Sequence, residues 1–406
     1  MLSANVRESS FSPFALGQAG ERAEGLRAAE ITVTHCIEEV EAEWRQLSRS
    51  GVESPGQSYD FIRLWVADRS IAPQDQLYVL GRVAGEPVAL LPLHRRRVWG
   101  CSVFTWFAGA HANCHAPIAD PARLAALGSE GRAALWHDML EPLKAGADAV
   151  YLRSIPGEID GYGDLFDELG EHLAIETLYR SRYDSWDECD GLQRSRSRRK
   201  HDRQQGERLA GLGAVRFEQL RVGDDLEAVI DTMFRQRSAR FKAMGIRDLF
   251  VLDGLTGFYR AAASPGSGLD VRLHVLRLDE EIVAVRYNVV LGRRMFCLIS
   301  SMSDDLAIQS GSPGKQCLLR VMQAVFDGGI SLFDMGCGFT DEKRHWCNVQ
   351  IPLRHHYVGL NARGWVMTDC HRLFQRLRAA IKANSRLKTA IRGLGSALGR
   401  LAMRSD

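Results

Sequence analysis

The chain has 406 residues, 45% of them apolar and 25% charged, a length that exceeds one ordinary domain and predicts two or three. A formal net charge of +2 is too small to imply a nucleic-acid binder by itself. No uninterrupted apolar run reaches the ~18 to 20 residues a membrane helix needs.

Residues 1–30 hold Ser, Gly, Ala, Glu and Arg around no apolar signal core, which predicts a flexible leader and not a secretory peptide. Helical patterns follow at "EEVEAEWRQLSRS" (38–50) and "SYDFIRLWVADRS" (58–70). Next comes a hairpin, "LYVLGRVAGEPVALLPLHRRR" (77–97), then a strand, "SVFTWFAG" (102–109), then a helix and strand in "GRAALWHDMLEPLKAGADAVYLRSI" (131–155). A polar stretch, "YDSWDECDGLQRSRSRRK" (183–200), marks a boundary.

The same order then repeats. Helical patterns at 198–213 and 224–241, the second carrying Leu226, Val229, Ile230, Met233 and Phe234, precede the hairpin "LHVLRLDEEIVAVRYNVVLGRR" (273–294). The strand "MFCLISSM" (295–302) and the helix and strand of "PGKQCLLRVMQAVFDGGISLFDMG" (313–336) complete the unit. Leu77, Val79 and Leu80 align with Leu273, Val275 and Leu276, and Glu86, Val88 and Ala89 with Glu281, Val283 and Ala284. This is one unit written twice. A last hairpin is predicted at "LRHHYVGLNARGWVMT" (353–368), turning at Asn361 to Gly364, and a basic amphipathic helix over 371–406. The predicted organisation is a leader (1–30), a first domain (31–188), a second domain (189–370) and a tail (371–406). The fold class is α/β of the α+β type, two tandem domains each with a mixed, mostly antiparallel sheet flanked by helices.

The turn "SGSPGK" before the helix at 313 has the chemistry of an anion site. Backbone N–H groups at a helix start attract phosphate. Gly311 and Gly314 allow close approach, Ser312 flanks them, Pro313 suits the first turn and Lys315 adds charge. The pattern is neither GxxxxGK[ST] nor GxGxxG. The first half has "GAHANCHAPIADPARLAALGSEG" (109–131) at the corresponding place, with no such turn.

Antiparallel strands, then a strand leading through a glycine turn into a helix and a further strand, resemble the GNAT acyltransferase fold. "SYDFIRLW", "PVALLPL", "SRSRRKHDRQQGERL", "SPG" after an acidic pair, and "LFDMGCGFTDEKRHW" resemble the CelD-like (cellulose-biosynthesis-associated) branch of that group, related to the FemAB-type aminoacyl transferases. The likeness runs from about residue 40 to 350, and its distinctive piece is Phe333, Asp334, Gly336, Gly338, Lys343 and Trp346. It implies acetyl-coenzyme A as donor, held at Gly311, Ser312, Gly314 and Lys315. It implies an amine or hydroxyl acceptor, a small molecule or a saccharide or lipid-linked one, in polysaccharide or cell-envelope metabolism. The family's acidic pair after the second glycine is replaced here by Phe339 and Thr340, with Asp341 and Glu342 displaced by two positions.

Acyl transfer needs a base for the acceptor and N–H donors for the carbonyl oxygen. Asp334, at the end of an apolar strand beside a glycine turn, is the first candidate for the base, or else caps that turn. Glu342 and His345 are the other catalytic candidates. Arg286 and Tyr287 interrupt an apolar strand and so face solvent or a cleft, as substrate contacts. Lys343 is read as a contact to acceptor or phosphates, and Trp346 as pocket wall or core. The resemblance implies that Asp304 or Asp305 lines the acceptor pocket; a turn role is the alternative. The seven Lys and Arg between Arg194 and Arg208 are read as phosphate or tRNA contacts, or a solvated face. The tail either touches an anionic membrane surface or packs on protein.

Nine scattered cysteines without CxxC point to reduced thiols and a cytoplasmic protein, peripheral at the inner membrane face if the tail binds lipid. Cys337, His345, Cys347, Cys370 and His371 match no usual zinc spacing, so no metal is expected. Nucleic acid is expected only if the chain is a FemAB-like, tRNA-dependent transferase. A catalytically silent binding or scaffold protein is the reading outside enzymes.

Overall fold

The computed structural model of the protein describes residues 29–245 and 248–383, so the predicted leader (up to residue 28) and the tail beyond 383 lie outside the described residues. The first half contributes β1 (Glu30–Thr34), α1 (Glu41–Leu47), α2 (Tyr59–Asp68), β2 (Gln76–Val83), β3 (Glu86–Val98), β4 (Cys101–Trp106), β5 (Ile118–Ala119), α3 (Pro121–Ala126), α4 (Gly128–Leu140) and β6 (Ala149–Pro156). A small pair, β7 (Glu158–Ile159) and β8 (Tyr162–Gly163), precedes β9 (Glu171–Arg182), α5 (Trp186–Gln193) and α6 (Arg196–Ala210). The second half runs β10 (Val215–Arg221), α7 (Glu227–Ala243), α8 (Leu249–Leu252), α9 (Thr256–Ala262), β11 (Asp270–Leu278), β12 (Glu281–Leu291), β13 (Arg294–Met302), α10 (Leu306–Gln309), α11 (Pro313–Asp327) and β14 (Leu332–Cys337). It closes with α12 (Asp341–Trp346), β15 (Val349–Gly359) and α13 (Ala362–Ala383).

All but β7 and β8 join one sheet in the order β1-β2-β3-β4-β6-β15-β9-β14-β13-β12-β11-β10, with β5 on β3. Read from either edge, four antiparallel strands lead to one parallel pair, β4 with β6 and β13 with β14. The next strands are exchanged. β9, which follows β6 in the chain, pairs with β14, whereas β15, which follows β14, pairs with β6. β9 and β15 pair with each other in the middle. The exchange fuses the two units into one mixed, mostly antiparallel sheet flanked by helices, because each half's parallel strand would otherwise expose an edge of unpaired backbone.

Helices cover both faces. On one, α1 and α2 meet α7 and α9 across the two halves, with Phe258 packed edge-on against Phe61 at 5.0 Å and Trp65 at 5.1 Å. On the other, α4 covers the first half and α11 the second. α11 buries Cys317, Leu318, Val321, Met322, Val325 and Phe326, one face of a 3.6-residue period.

The predicted hairpin at 353–368 is not formed. β15 is a single central strand, and Asn361 caps α13 by accepting from the Gly364 N–H at 3.0 Å. A Cβ at Gly364 would sit 1.6 Å from the Asp148 carbonyl oxygen, so this glycine permits close approach and not a turn. α13 continues through the predicted tail start to residue 383. Among the described residues no helix is long and apolar enough to cross a membrane.

Candidate functional site

β13 and β14 pair only from Arg294–Leu332 to Phe296–Asp334. Beyond that rung β13 stays on β12, whereas β14 bulges onto β9 between Asp334 and Cys337, so the parallel strands part. Gly336, with φ +77°, and Gly338, with φ +82°, bend the chain into the left-handed region that glycine tolerates. Asn113, from the first half's long loop, enters the gap. Its Nδ2 donates to the Cys297 carbonyl at 3.3 Å and to Asp334 Oδ1 at 3.1 Å. Lys343 closes the loop by donating to the carbonyls of Gly336 (3.2 Å) and Cys337 (2.6 Å).

Asp334 is wholly buried. Arg180 Nε donates to Oδ2 at 2.8 Å, and the Gly336 N–H donates to Oδ1 at 2.8 Å. The same guanidinium pairs with buried Glu53, which Arg294 also holds at 2.6 Å. Burial lifts the Asp334 carboxyl above its usual range despite Arg180. Burial would also lift Glu53, but two arginines outweigh it and hold that carboxyl below. This geometry gives Asp334 to the joint between the halves: Glu53, Asn113 and Arg180 come from the first, Arg294 and Asp334 from the second. Sequence reasoning missed Arg180 and Asn113, which stand 154 and 221 residues from Asp334, and Glu53 with them. No local pattern could have joined residues so far apart.

Glu342 stands differently. It lies in the first turn of α12, its side chain is 31% exposed, and it accepts from Arg286 Nη2 at 2.9 Å. Thr340 caps that helix by accepting from the Lys343 N–H at 3.3 Å, which leaves Asp341 and Glu342 in its first turn. Arg286 is buried, and its Nε has no partner among the described residues. Burial works against its charge, but Glu342 holds its pKa above the ordinary value. Burial lowers Lys343.

At the glycine turn, Ser312 sits in the left-handed region (φ 52°) before Pro313, and no side chain caps α11. Ser312 Oγ accepts from Gln205 of α6 at 2.9 Å. A Cβ on Gly311 would press on Leu209 at 2.7 Å, and one on Gly314 would meet Met302 Sδ at 3.1 Å. Gly311 is thus fixed by helix packing, whereas Gly314 keeps backbone half-open beside exposed Lys315. His345 lies half-buried near these charges: burial, then Arg198, Arg344 and, more weakly, Lys315 lower its pKa. An uncapped helix start with Lys315 in its first turn suits phosphate.

The remaining candidates fall elsewhere. Tyr287 is not at a cleft: it is fully buried in the core opposite Arg286, donating its hydroxyl to the Tyr259 carbonyl at 3.0 Å. The pleat explains this, since neighbours in a strand point to opposite faces. Asp305 caps α10 by accepting from the Ala307 and Ile308 N–H groups, and Asp304 is exposed beside it. Trp346 is buried, its ring 6.1 Å from that of Trp186. Of the basic run, Arg194 and Arg198 pair with Asp202, Arg199 with Asp190 and Arg203 with Glu207, so much of its charge is met within the chain. Among the described residues no group of three or more His, Cys, Asp or Glu is placed to hold a metal ion.

Residues 196–344 match the acetyltransferase (GNAT) domain family. No curated protein matches the sequence. Among solved structures, the C-terminal domain of a putative lysylphosphatidylglycerol synthetase from Agrobacterium fabrum is similar, with a TM-score of 0.50 and 13% identity over 83% of this chain and 97% of that one. FemX gives 0.49 at 12% identity over 69% and 87%, and a tandem GNAT protein from the clavulanic acid pathway 0.43 at 11% over 82% and 99%. At 13% identity the first likeness bears on the fold alone. The domain match places the likeness to acetyltransferases in the second half and supports a transferase.

Proposed function

We propose that the second half moves an acyl group, with acetyl-coenzyme A as donor, to an amine or hydroxyl of a saccharide or lipid-linked acceptor. The observation that carries this is the uncapped, cation-flanked start of α11 beside a parallel pair that parts after Phe296 and Asp334. The coenzyme's phosphates would lie at Gly314 and Lys315, and its acyl arm between β13 and β14. Past Phe296, β13 has no strand on its β14 side; Asn113 takes the Cys297 carbonyl there, and backbone N–H groups along this edge would steady the thioester oxygen. Glu342, half-exposed and oriented by Arg286, takes the proton from the acceptor's nucleophile. The new N–C or O–C bond forms, the C–S bond breaks, and coenzyme A leaves as a thiolate that takes up a proton. Asp334 positions the strand end and transfers no proton.

The cytoplasmic, CelD-like setting rests on the motif likeness. The exposed Trp365, Val366, Leu373, Phe374 and Leu377 of α13, among several arginines, support contact with an anionic membrane surface. An aminoacyl donor is the second reading, favoured by the likeness to the putative lysylphosphatidylglycerol synthetase domain; the self-paired basic run weighs against a tRNA surface. Isothermal titration with acetyl-coenzyme A, on the wild type and on Gly314→Leu, tests the proposal. Micromolar binding lost in the variant is expected. No binding by the folded wild type overturns it.

A further inference from the structure

A cavity of about 740 Å³ lies against the first half's strands, closed by β15, α13 and Asp253 of the second, and none of its lining residues belongs to the glycine turn. It opens where β4 and β6 part. Those strands pair only at Val103–Ala149 and Phe104–Val150, and the residues just beyond, Thr105, Trp106, Tyr151 and Arg153, line the space. By the internal duplication this is the counterpart of the gap between β13 and β14. The connection between β4 and β6 differs in chemistry from that between β13 and β14. It includes the short α3, capped by Asp120, which accepts from the Arg123 N–H at 3.0 Å. Helix α4, which covers this half as α11 covers the other, starts at Gly128 with no "SGSPGK" turn and no lysine beside it.

Positive charge enters this cavity from another element. Arg95 and Arg96 of β3 line it with Arg69 and Arg153, against two carboxylates, Asp75 and Asp253. Asp75 is matched by Arg95 at 2.9 Å, and Arg69 is held at the chain around Asp253. Arg96 has no ion-pair partner among the described residues, and Arg153 reaches Glu176 only at 4.0 Å. The histidines add no charge at neutral pH, since burial lowers His94 to about 4 and lowers His111 and His371 as well. The walls are aromatic. Trp65 stacks on His111 at 5.6 Å, and Tyr151 lies 5.1 Å from Tyr357. Trp106, 2% exposed, borders the cavity from the core on the other face of the sheet, where its ring stacks on His115 at 6.1 Å.

We infer that this cavity is a second ligand site, taking a phosphate-bearing molecule with a ring or apolar body. The phosphate oxygens face Arg96 and Arg153, and the body lies among Trp65, Tyr151 and Tyr357. The volume suits a molecule of that size, within the range of ordinary ligand pockets. The phosphoester could be soluble or a lipid headgroup, because α13, which lines the cavity with Met367, Thr368 and His371, exposes an apolar stripe elsewhere on its surface.

The test is calorimetric titration of the full chain with phenyl phosphate, inorganic phosphate, phenol and monomeric dihexanoyl phosphatidic acid. Phenyl phosphate or the short lipid should bind at least tenfold more tightly than inorganic phosphate and phenol, and the tighter of the two names the source. Arg96→Ala and Arg153→Ala should each weaken that binding about tenfold, with acetyl-coenzyme A affinity unchanged. Arg96 is exposed, so its variant remains informative if Arg153→Ala fails to fold. The site is overturned if neither phosphoester outbinds inorganic phosphate, or if Arg96→Ala binds as the wild type does. Since the readout is binding in the first half, its failure is separate from any failure of coenzyme binding at Gly314.

Discussion

The two halves part their parallel strands in the same place and then diverge. In the second, the strand after the gap leads to glycines at positive φ, and the helix before it starts uncapped beside Lys315. In the first, a short extra helix capped by Asp120 precedes α4, the long loop sends Asn113 across into the second half, and arginines on β3 face the cavity. On the two proposals, one backbone plan carries two kinds of anion site, one made by a helix end and one by side chains. What separates them is the residues at the helix start and the arginines that β3 and β6 carry, not the order of the strands.

The joint between the halves gives the largest expected effect. Arg180→Ala strands Asp334 as a buried charge and leaves Glu53 to Arg294 alone, and removing one partner of such a group costs roughly 3–5 kcal/mol. Urea unfolding should show that loss in both halves at once; a loss confined to one half would break the picture of a shared joint. Next is Glu342→Gln, expected to lower kcat by about 10²–10⁴-fold, the usual weight of a general base, with coenzyme affinity nearly unchanged. Asp334→Asn should instead act on stability, and a clean kcat loss there with a normal fold would restore it as the base.

Two smaller effects contrast the helix starts and the buried histidines. Lys315→Gln should weaken coenzyme binding a few-fold, on the order of 0.3–1 kcal/mol, and more so at low salt, whereas Asp120→Asn should leave that binding alone. Burial holds His115 at about 4 and His355 and His356 at about 3, all in or beside the first half's strands, with His274 alike at about 3 in the second. Their folded values lie below the ordinary 6.5, so the fold favours the neutral rings. That stability is fully present above pH 6.5 and is lost as pH falls from there toward 3–4. Urea midpoints at pH 7 and pH 5 should therefore differ, and His115→Gln should shrink the difference; an unchanged difference would remove His115 from the account.

The repeated units were legible in the chain, because period-2 and period-3.6 patterns depend on neighbours a few residues apart. So was the glycine turn, since Gly311 to Lys315 are contiguous, and the same local patterns brought Glu342, Arg286 and Lys343 into view. Tyr287 was misplaced, because its polar neighbour Arg286 obscured which face of β12 each occupies. The Asn361–Gly364 cap passed for a turn because the two share residue preferences. The folded molecule alone decided the exchange of β9 and β15, the burial of Asp334 against Arg180, the insertion of Asn113 into the second half's gap, and the cavity above β4 and β6. Each depends on strand partners far apart in the chain, chosen by which edges the sheet must cover, and no local pattern records that choice.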